Sequence, residues 1–337
     1  MSLPQKIARK IYRESKYLVR EGGYRLGLYR RFYRSARGCR ILIYHGLCKE
    51  DPTRFNPIFL TKARFEDHLR FYKKYFNVIS LDDYYAQKFS DQRFNICLTF
   101  DDGFANNYKY VLPLIEKYQM PATFFVTAIR AAGYDILWND FLGIISKYGP
   151  EQMTYKRKLY RKNRGNKYIC VTDGISLVDK LRNAGFTEKA EMMRLLYPLV
   201  PFKINPADVD YWLQMTPREI RKLAASPYVT IGAHGYYHND LARIKISDTA
   251  EELILSKQYL ENVIRRKIKS FAFPYGSYNP DVVEAAKGAG YKQLLAMDFK
   301  FPGDNNDPAL LERFTVNPFI STHNQMYAII KRRYEHH

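Results

Sequence analysis

The stretch that decides the fold is Phe94-Asn95-Ile96-Cys97-Leu98-Thr99-Phe100-Asp101-Asp102-Gly103. Ile96, Leu98 and Phe100 recur at every second position, the period of a buried strand. The run stops at two carboxylates and a glycine, so Asp101 and Asp102 fall at the strand's C-terminal end. Parallel α/β sheets and barrels bind their ligands at that end. Successive strand residues point to opposite sides, so adjacent aspartates serve different partners. Alone, the segment reads more simply as a strand closed by an Asp-Gly turn. The surrounding chain decides between the two.

Upstream, Arg40-Ile41-Leu42-Ile43-Tyr44-His45-Gly46 has the same shape: an apolar strand ending in a polar residue and a glycine. Residues 62–76 between them read as an amphipathic helix. Downstream, Tyr108, Val111, Leu112 and Ile115 mark a helix, and Ala122 to Thr127 a strand. Strand, helix and strand at this spacing predict parallel β/α construction. Residues 134–215 break the rhythm, show no clear strand alternation and read as a largely helical insertion, a natural source of substrate contacts. The rhythm resumes at Thr216-Pro217-Arg218-Glu219, a helix start. Strands follow at Tyr228 to Ala233, Ser270 to Phe273, Lys292 to Met297 and Leu311 to Val316. Helices are expected over 247–266, with Ser247 as N-cap, and over 322–333.

The 337 residues carry 54 Lys+Arg against 34 Asp+Glu, a formal charge of +20. Such an excess favours anionic partners. There is no RNA-recognition signature, zinc-finger spacing or heptad zipper, so a dedicated nucleic-acid reader is not indicated. The 29 tyrosines suit sugar surfaces, though core and interface use explains them equally well. Residues 1–39 form a basic amphipathic segment, with Ile7, Ile11, Leu18 and Val19 among Lys and Arg and only Glu14 and Glu21 acidic. It fits an anionic membrane surface, or a helix packed on the domain with a solvated basic face. Cys39, Cys48, Cys97 and Cys170 form no CxxC pair, which points to a reducing compartment. No apolar run is long enough to span a bilayer, and no secretory signal is apparent. The expected location is cytoplasmic, with peripheral contact at the inner membrane face. The terminal His336-His337 pair reads as a tag remnant.

Three strand ends therefore present polar groups: His45, Asp101-Asp102 and His234…His238. The His-x-x-x-His spacing can hold a first-row metal, and no Glu lies between the histidines to act as a base. One carboxylate with two imidazoles leaves coordination positions open for hydrolysis. The other carboxylate is then free to serve as general base.

With these residues assembled, the chain resembles the polysaccharide deacetylases, the NodB-homology group of carbohydrate esterase family 4. Thr99-Phe100-Asp101-Asp102-Gly103 matches the family's first motif. His234-Gly235-Tyr236-Tyr237-His238 matches its second, with Gly235 in place of the usual Ser or Thr. Ala272-Phe273-Pro274-Tyr275 aligns with the third, usually Arg-x-Pro-Tyr. The resemblance covers roughly 40–300, and the whole deacetylase domain is read as 40–337. It implies a distorted, seven-stranded (β/α) barrel of the α/β class, with the helical insertion and the basic N-terminal helical extension added.

The resemblance further implies Asp101 as general base and Asp102, His234 and His238 as ligands of a divalent metal, zinc before cobalt or nickel. The backbone N–H of Tyr275 would help form the oxyanion hole. Ala272 lacks the arginine that supports the base, and Arg313 is the candidate substitute, against the alternative of a surface arginine at a strand end. For the general acid, His45 resembles the N-terminal Tyr-His of the permuted poly-N-acetylglucosamine deacetylases, and His323 is the alternative. The implied substrate is an N-acetylated polysaccharide or lipid-linked glycan. The competing reading is a catalytically impaired carbohydrate- or polyanion-binding protein on the same fold.

Overall fold

The computed structural model describes residues 3–55 and 57–335, and the His336-His337 pair lies outside them. Two helices open the chain, α1 (Leu3–Arg25) and α2 (Arg30–Ser35). Strand β1 (Cys39–Tyr44) and helix α3 (Lys62–Tyr75) precede β2 (Phe94–Phe100), the stretch that ends in the two aspartates. Then come β3 (Ala122–Val126), β4 (Val229–Ala233), β5 (Ser270–Ala272), β6 (Gln293–Ala296), β7 (Leu310–Glu312) and β8 (Phe314–Thr315). Helix α4 (Ile246–Ile264) links β4 to β5, and α5 (Thr322–Lys331) follows β8.

All of these strands pair in parallel, in the order β7-β6-β5-β4-β3-β2-β1-β8. The two ends of that order, β7 and β8, are consecutive in the chain and separated by Arg313 alone. Leu310–Thr315 therefore behaves as one broken strand that leaves β6 and joins β1, closing the barrel. Counted that way, the barrel has the seven strand positions expected. One further short strand, Phe76–Val78, pairs with the first half of β2.

Burial explains the closure. All seven residues of β2 are buried, as suits a parallel strand covered on both faces. Ile41, Cys97, Phe125, Ala272 and Leu295, from five different strands, form one interior cluster. Cys97, Thr99 and Asp101 alternate along β2, so Asp101 continues that interior face.

The insertion differs from the reading of 134–215. Helices Trp138–Tyr148, Leu177–Arg182 and Phe186–Leu196 are present, but so is a three-stranded antiparallel sheet: Gln152–Tyr155, Lys158–Lys162 and Tyr168–Cys170. Its hairpin turns on Lys156 and Arg157, both at positive φ (47° and 62°), a two-residue turn of the type usually made by Asn-Gly. The basic residues concealed it. Met153, Tyr155, Tyr160 and Tyr168 face an apolar core with Trp138, Phe141 and Leu181. Helix α4 begins at Ile246 with Lys245 as N-cap, so Ser247 lies inside it rather than capping it. Helix Pro217–Ala224 starts where expected, and Thr216 and Glu219 form a capping box there.

Gly103, at φ 78°, turns the chain away from β2, and a Cβ there would lie 2.9 Å from Val126 Cγ1. Gly103→Ala is expected to cost about 1–3 kcal/mol in urea unfolding, from left-handed backbone strain and overpacking together. Wild-type stability in that variant would contradict so tight a junction between Gly103 and Val126.

Candidate metal and hydrolytic site

Asp102, His234 and His238 converge at the C-terminal end of the barrel, all buried, with ligand atoms within 4.8 Å of one another. Nε2 of His234 lies 3.3 Å, and Nε2 of His238 3.2 Å, from the same Asp102 Oδ1. The other ring nitrogens face acceptors. His234 Nδ1 lies 2.8 Å from the Ala272 carbonyl, and His238 Nδ1 3.0 Å from Asn139 Oδ1. Nδ1–H donation on both rings leaves the Nε2 lone pairs turned toward Asp102, the tautomer a metal requires. Asp102 and His238 both hold positive φ, 73° and 57°. Strained backbone at two of three converging groups is where functional sites store strain. An Asp-His-His set of this kind suits a divalent first-row ion.

Asp101 faces the opposite way and meets Arg313. Arg313 Nη1 donates to Asp101 Oδ1 at 2.7 Å and Nη2 to Oδ2 at 2.8 Å, a bidentate pair with both side chains buried. Nη1 also reaches Thr99 Oγ1 at 3.1 Å. The guanidinium lies over the Phe125 ring, in the interior cluster that contains Ala272. An arginine thus reaches the carboxylate from the barrel seam rather than from position 272, and Arg313 is no surface residue. Burial pushes the Asp101 carboxyl up, but the charge of Arg313, then that of His234, more than reverses it and holds the group ionised. For Asp102, burial likewise raises the pKa, and the imidazoles of His234 and His238 beside it reverse that, to well below the usual carboxylate range.

His45 follows β1 directly, and its backbone carbonyl accepts from Asn107 Nδ2 at 3.0 Å. Burial lowers the pKa of its ring, while the charges of Asp102 and Asp101 raise it, so it shares the electrostatic field of the site. His323 is elsewhere. It stacks on Tyr24 of α1 with ring centroids 3.3 Å apart and lies 3.1 Å from Glu21 Oε1, fastening the N-terminal helix. Tyr275 also holds positive φ, 59°, and its hydroxyl lies 3.1 Å from His238 Nδ1.

Several residues of the site escaped the sequence reading. Gly235 (φ 81°) would place a Cβ 2.9 Å from Glu252 Oε1. That carboxylate, from α4, accepts the backbone N–H groups of Tyr236 (3.1 Å), Tyr237 (3.0 Å) and Asn239 (3.3 Å). Glu252 therefore shapes the loop that carries His238, in the space that a side chain at 235 would fill. Burial raises its pKa, and the loop N–H groups oppose the rise.

The insertion braces the same loop. Trp138 Nε1 donates to the His238 carbonyl at 2.9 Å, and Arg182 binds Asp240 at 2.6 Å while lying 4.6 Å from the centre of the Tyr275 ring. Lys189 is fully buried, bonds Asn239 Oδ1 and sits 4.5 Å from the Trp138 ring; burial lowers its pKa to about 8. None of these pairs has a local spacing signal. The placement of Trp138, one of only two tryptophans, at the start of the insertion was the one available hint.

Comparison with known proteins bears on the family and the fold. The family model described as polysaccharide deacetylase matches residues 90–158 and 202–294, leaving out the middle of the insertion, 159–201. Among solved structures, the chain is similar to the deacetylase PplD of Streptococcus pyogenes, determined with acetate, at 16% identity and a TM-score of 0.51 over 86% of this chain and 97% of that one. IcaB from Ammonifex degensii is similar at 18% identity and a TM-score of 0.53, over 88% and 98%. The polysaccharide deacetylase BC0361 of Bacillus cereus is similar at 16% and 0.53, over 87% and 68%. At these identities the likeness is one of fold. No curated protein matches the sequence.

Two outcomes are expected. Glu252→Gln turns an amide toward backbone donors, and divalent-metal affinity measured by calorimetry should fall roughly tenfold or more, with circular dichroism unchanged. Arg313→Met leaves Asp101 buried without its cation, and stability at neutral pH should fall by about 3–5 kcal/mol. The sign follows from linkage. The folded pKa of Asp101 is depressed, so its contribution is complete above the unfolded value and is lost as pH falls through the folded one. The difference between Arg313→Met and wild type should therefore shrink in acid, as read from unfolding curves across pH.

Proposed function

The chain belongs to the polysaccharide deacetylase family, and we propose that it is a metal-dependent hydrolase removing N-acetyl groups from a polysaccharide or lipid-linked glycan precursor. The observation that carries the reading is the division of labour between adjacent aspartates. Asp102 is committed to two imidazoles, and Asp101 to a buried arginine.

Asp102, His234 and His238 would hold the ion, with zinc first in the order of preference. Once bound there, it supplies Lewis acidity to the acetyl carbonyl and to water. Asp101, kept ionised by Arg313, accepts the proton of the water that adds to the carbonyl carbon. The Tyr275 N–H, held by a left-handed backbone, donates to the carbonyl oxygen as it gains charge. The C–N bond then breaks, His45 gives its proton to the departing amine, and acetate is released. A hollow of about 210 Å3 lined by Phe55, Asn139 and Tyr211 adjoins the residue that bonds His238, and its aromatic faces suit a sugar ring.

The impaired, binding-only alternative drew on Ala272 and Gly235. Arg313 and Glu252 weigh against it: Arg313 supplies a cation to Asp101 that position 272 lacks, and Glu252 holds the loop through the space beside Gly235. We assign the enzyme to cell-surface polysaccharide biosynthesis, at the cytoplasmic face of the membrane. No helix among the described residues is long and apolar enough to cross a bilayer, and the basic α1 offers a peripheral contact instead.

The test is acetate release from N-acetylhexosamine oligosaccharides after chelation and metal add-back. Wild type should regain activity with the ion. Asp101→Asn should lose about 100-fold or more while still binding one ion, and His45→Gln should lose about 100-fold with its alkaline-side pH limb altered. Asp102→Ala should bind no ion at all. Equal turnover by wild type and Asp101→Asn would remove the proposed base.

A further inference from the structure

Helix α1 is docked the wrong way round for an amphipathic helix covering a core. The face it turns to the barrel is polar and aromatic. Arg20, 6% exposed, gives Nη1 to Asn324 Oδ1 at 2.8 Å and Nη2 to Glu335 at 2.6 Å, and lies over the Tyr327 ring at 3.8 Å. Glu21 accepts from Ser321 Oγ at 2.6 Å, and Tyr24 stacks on His323.

The apolar residues point outward. Ile7 is 51% exposed, Ile11 65% and Leu18 73%. At 3.6 residues per turn these three fall within about 40° of one another. Val19 and Tyr12 widen the stripe, and Leu26 and Leu28, 78% and 72% exposed, extend it beyond the helix. Single exposed apolar residues are ordinary, but a stripe of this length marks an interaction surface. Arg9, Lys10, Arg25, Arg30, Arg31 and Arg34 are exposed around it. An apolar face flanked by cations fits the headgroup and upper acyl region of an anionic bilayer.

From this inverted polarity we propose that α1 is a bilayer-docking helix. Ile7, Ile11, Leu18, Val19, Leu26 and Leu28 enter an anionic lipid surface, and the polar face clamps the barrel to it. The clamp lies toward the catalytic end. Ser321 and His323 begin α5, which the chain enters from the C-terminal end of β8. The same strand ends bear His45 and the two aspartates. The inference deepens the peripheral-membrane part of the proposed function and does not depend on the deacetylase chemistry.

The full-length chain is to be sedimented, without substrate, with vesicles of phosphatidylglycerol and phosphatidylcholine and with vesicles of phosphatidylcholine alone. Wild type is expected to bind the anionic vesicles and to bind the neutral ones far more weakly. The double variant Ile11→Glu, Leu18→Glu should lose roughly tenfold or more of that binding. Its unfolding midpoint and its acetate release from a soluble oligosaccharide should not change, since both side chains are exposed. Charge reversal at Arg30 and Arg31 should weaken binding at low salt and have less effect at high salt. Absence of wild-type binding, or equal binding by the double variant, overturns the proposal. So does a concentration-dependent dimer that the double variant abolishes while vesicle binding persists, which would assign the stripe to a second copy of the chain.

Discussion

The buried pair of Asp101 and Arg313 is the contact on which the site depends. Removing two full charges from water costs several kcal/mol for each, so such a pair persists only where geometry and further hydrogen bonds compensate. Here the guanidinium meets both carboxylate oxygens and also Thr99. It can do so because Arg313 occupies the single position between β7 and β8, where the chain crosses from β6 to β1. Barrel closure and ionisation of Asp101 are thus one structural fact. A carboxylate already paired with an arginine has no reason to join the proposed metal ligands, so the two neighbouring aspartates face different partners.

The second half of the site is held from behind in a similar way. His234 and His238 lie on a loop whose backbone donors are taken up by Glu252, from a helix that begins eight residues after His238. The insertion adds Trp138, Asn139 and Arg182 around His238 and Tyr275. Its principal contribution is therefore orientation of the loop that carries His238. Metal ligands fixed by such outer contacts lose less freedom on binding, and their affinity depends on the partners behind them.

Legibility in the sequence followed the distance between partners. The β2 strand, the strand ends and the two motif segments were readable because alternation and short spacings are local. Arg313 was readable only as a candidate, since its partner is 212 residues away and a lone arginine at a strand end has many ordinary uses. Glu252 and Gly235 form a complementary pair, but the glycine reads as a lost hydroxyl until the carboxylate beside it is seen. The three-stranded sheet of the insertion was missed because Lys156 and Arg157 adopt a turn that their side chains do not announce. In α1 the amphipathic pattern was plain, but which face meets the barrel was not.

By itself, the sequence determined the parallel β/α construction and singled out Asp102, His234 and His238, which the fold brings together, as the groups proposed to hold a metal. Each of these rests on residues close together in the chain or on a side-chain type with few alternatives. Only the tertiary structure decided that an arginine at the barrel seam replaces one at position 272, that Glu252 shapes the histidine loop, and that α1 presents its apolar side outward. Those outcomes depend on which distant elements meet when the sheet closes, and a period along one strand or helix carries no record of what packs against it.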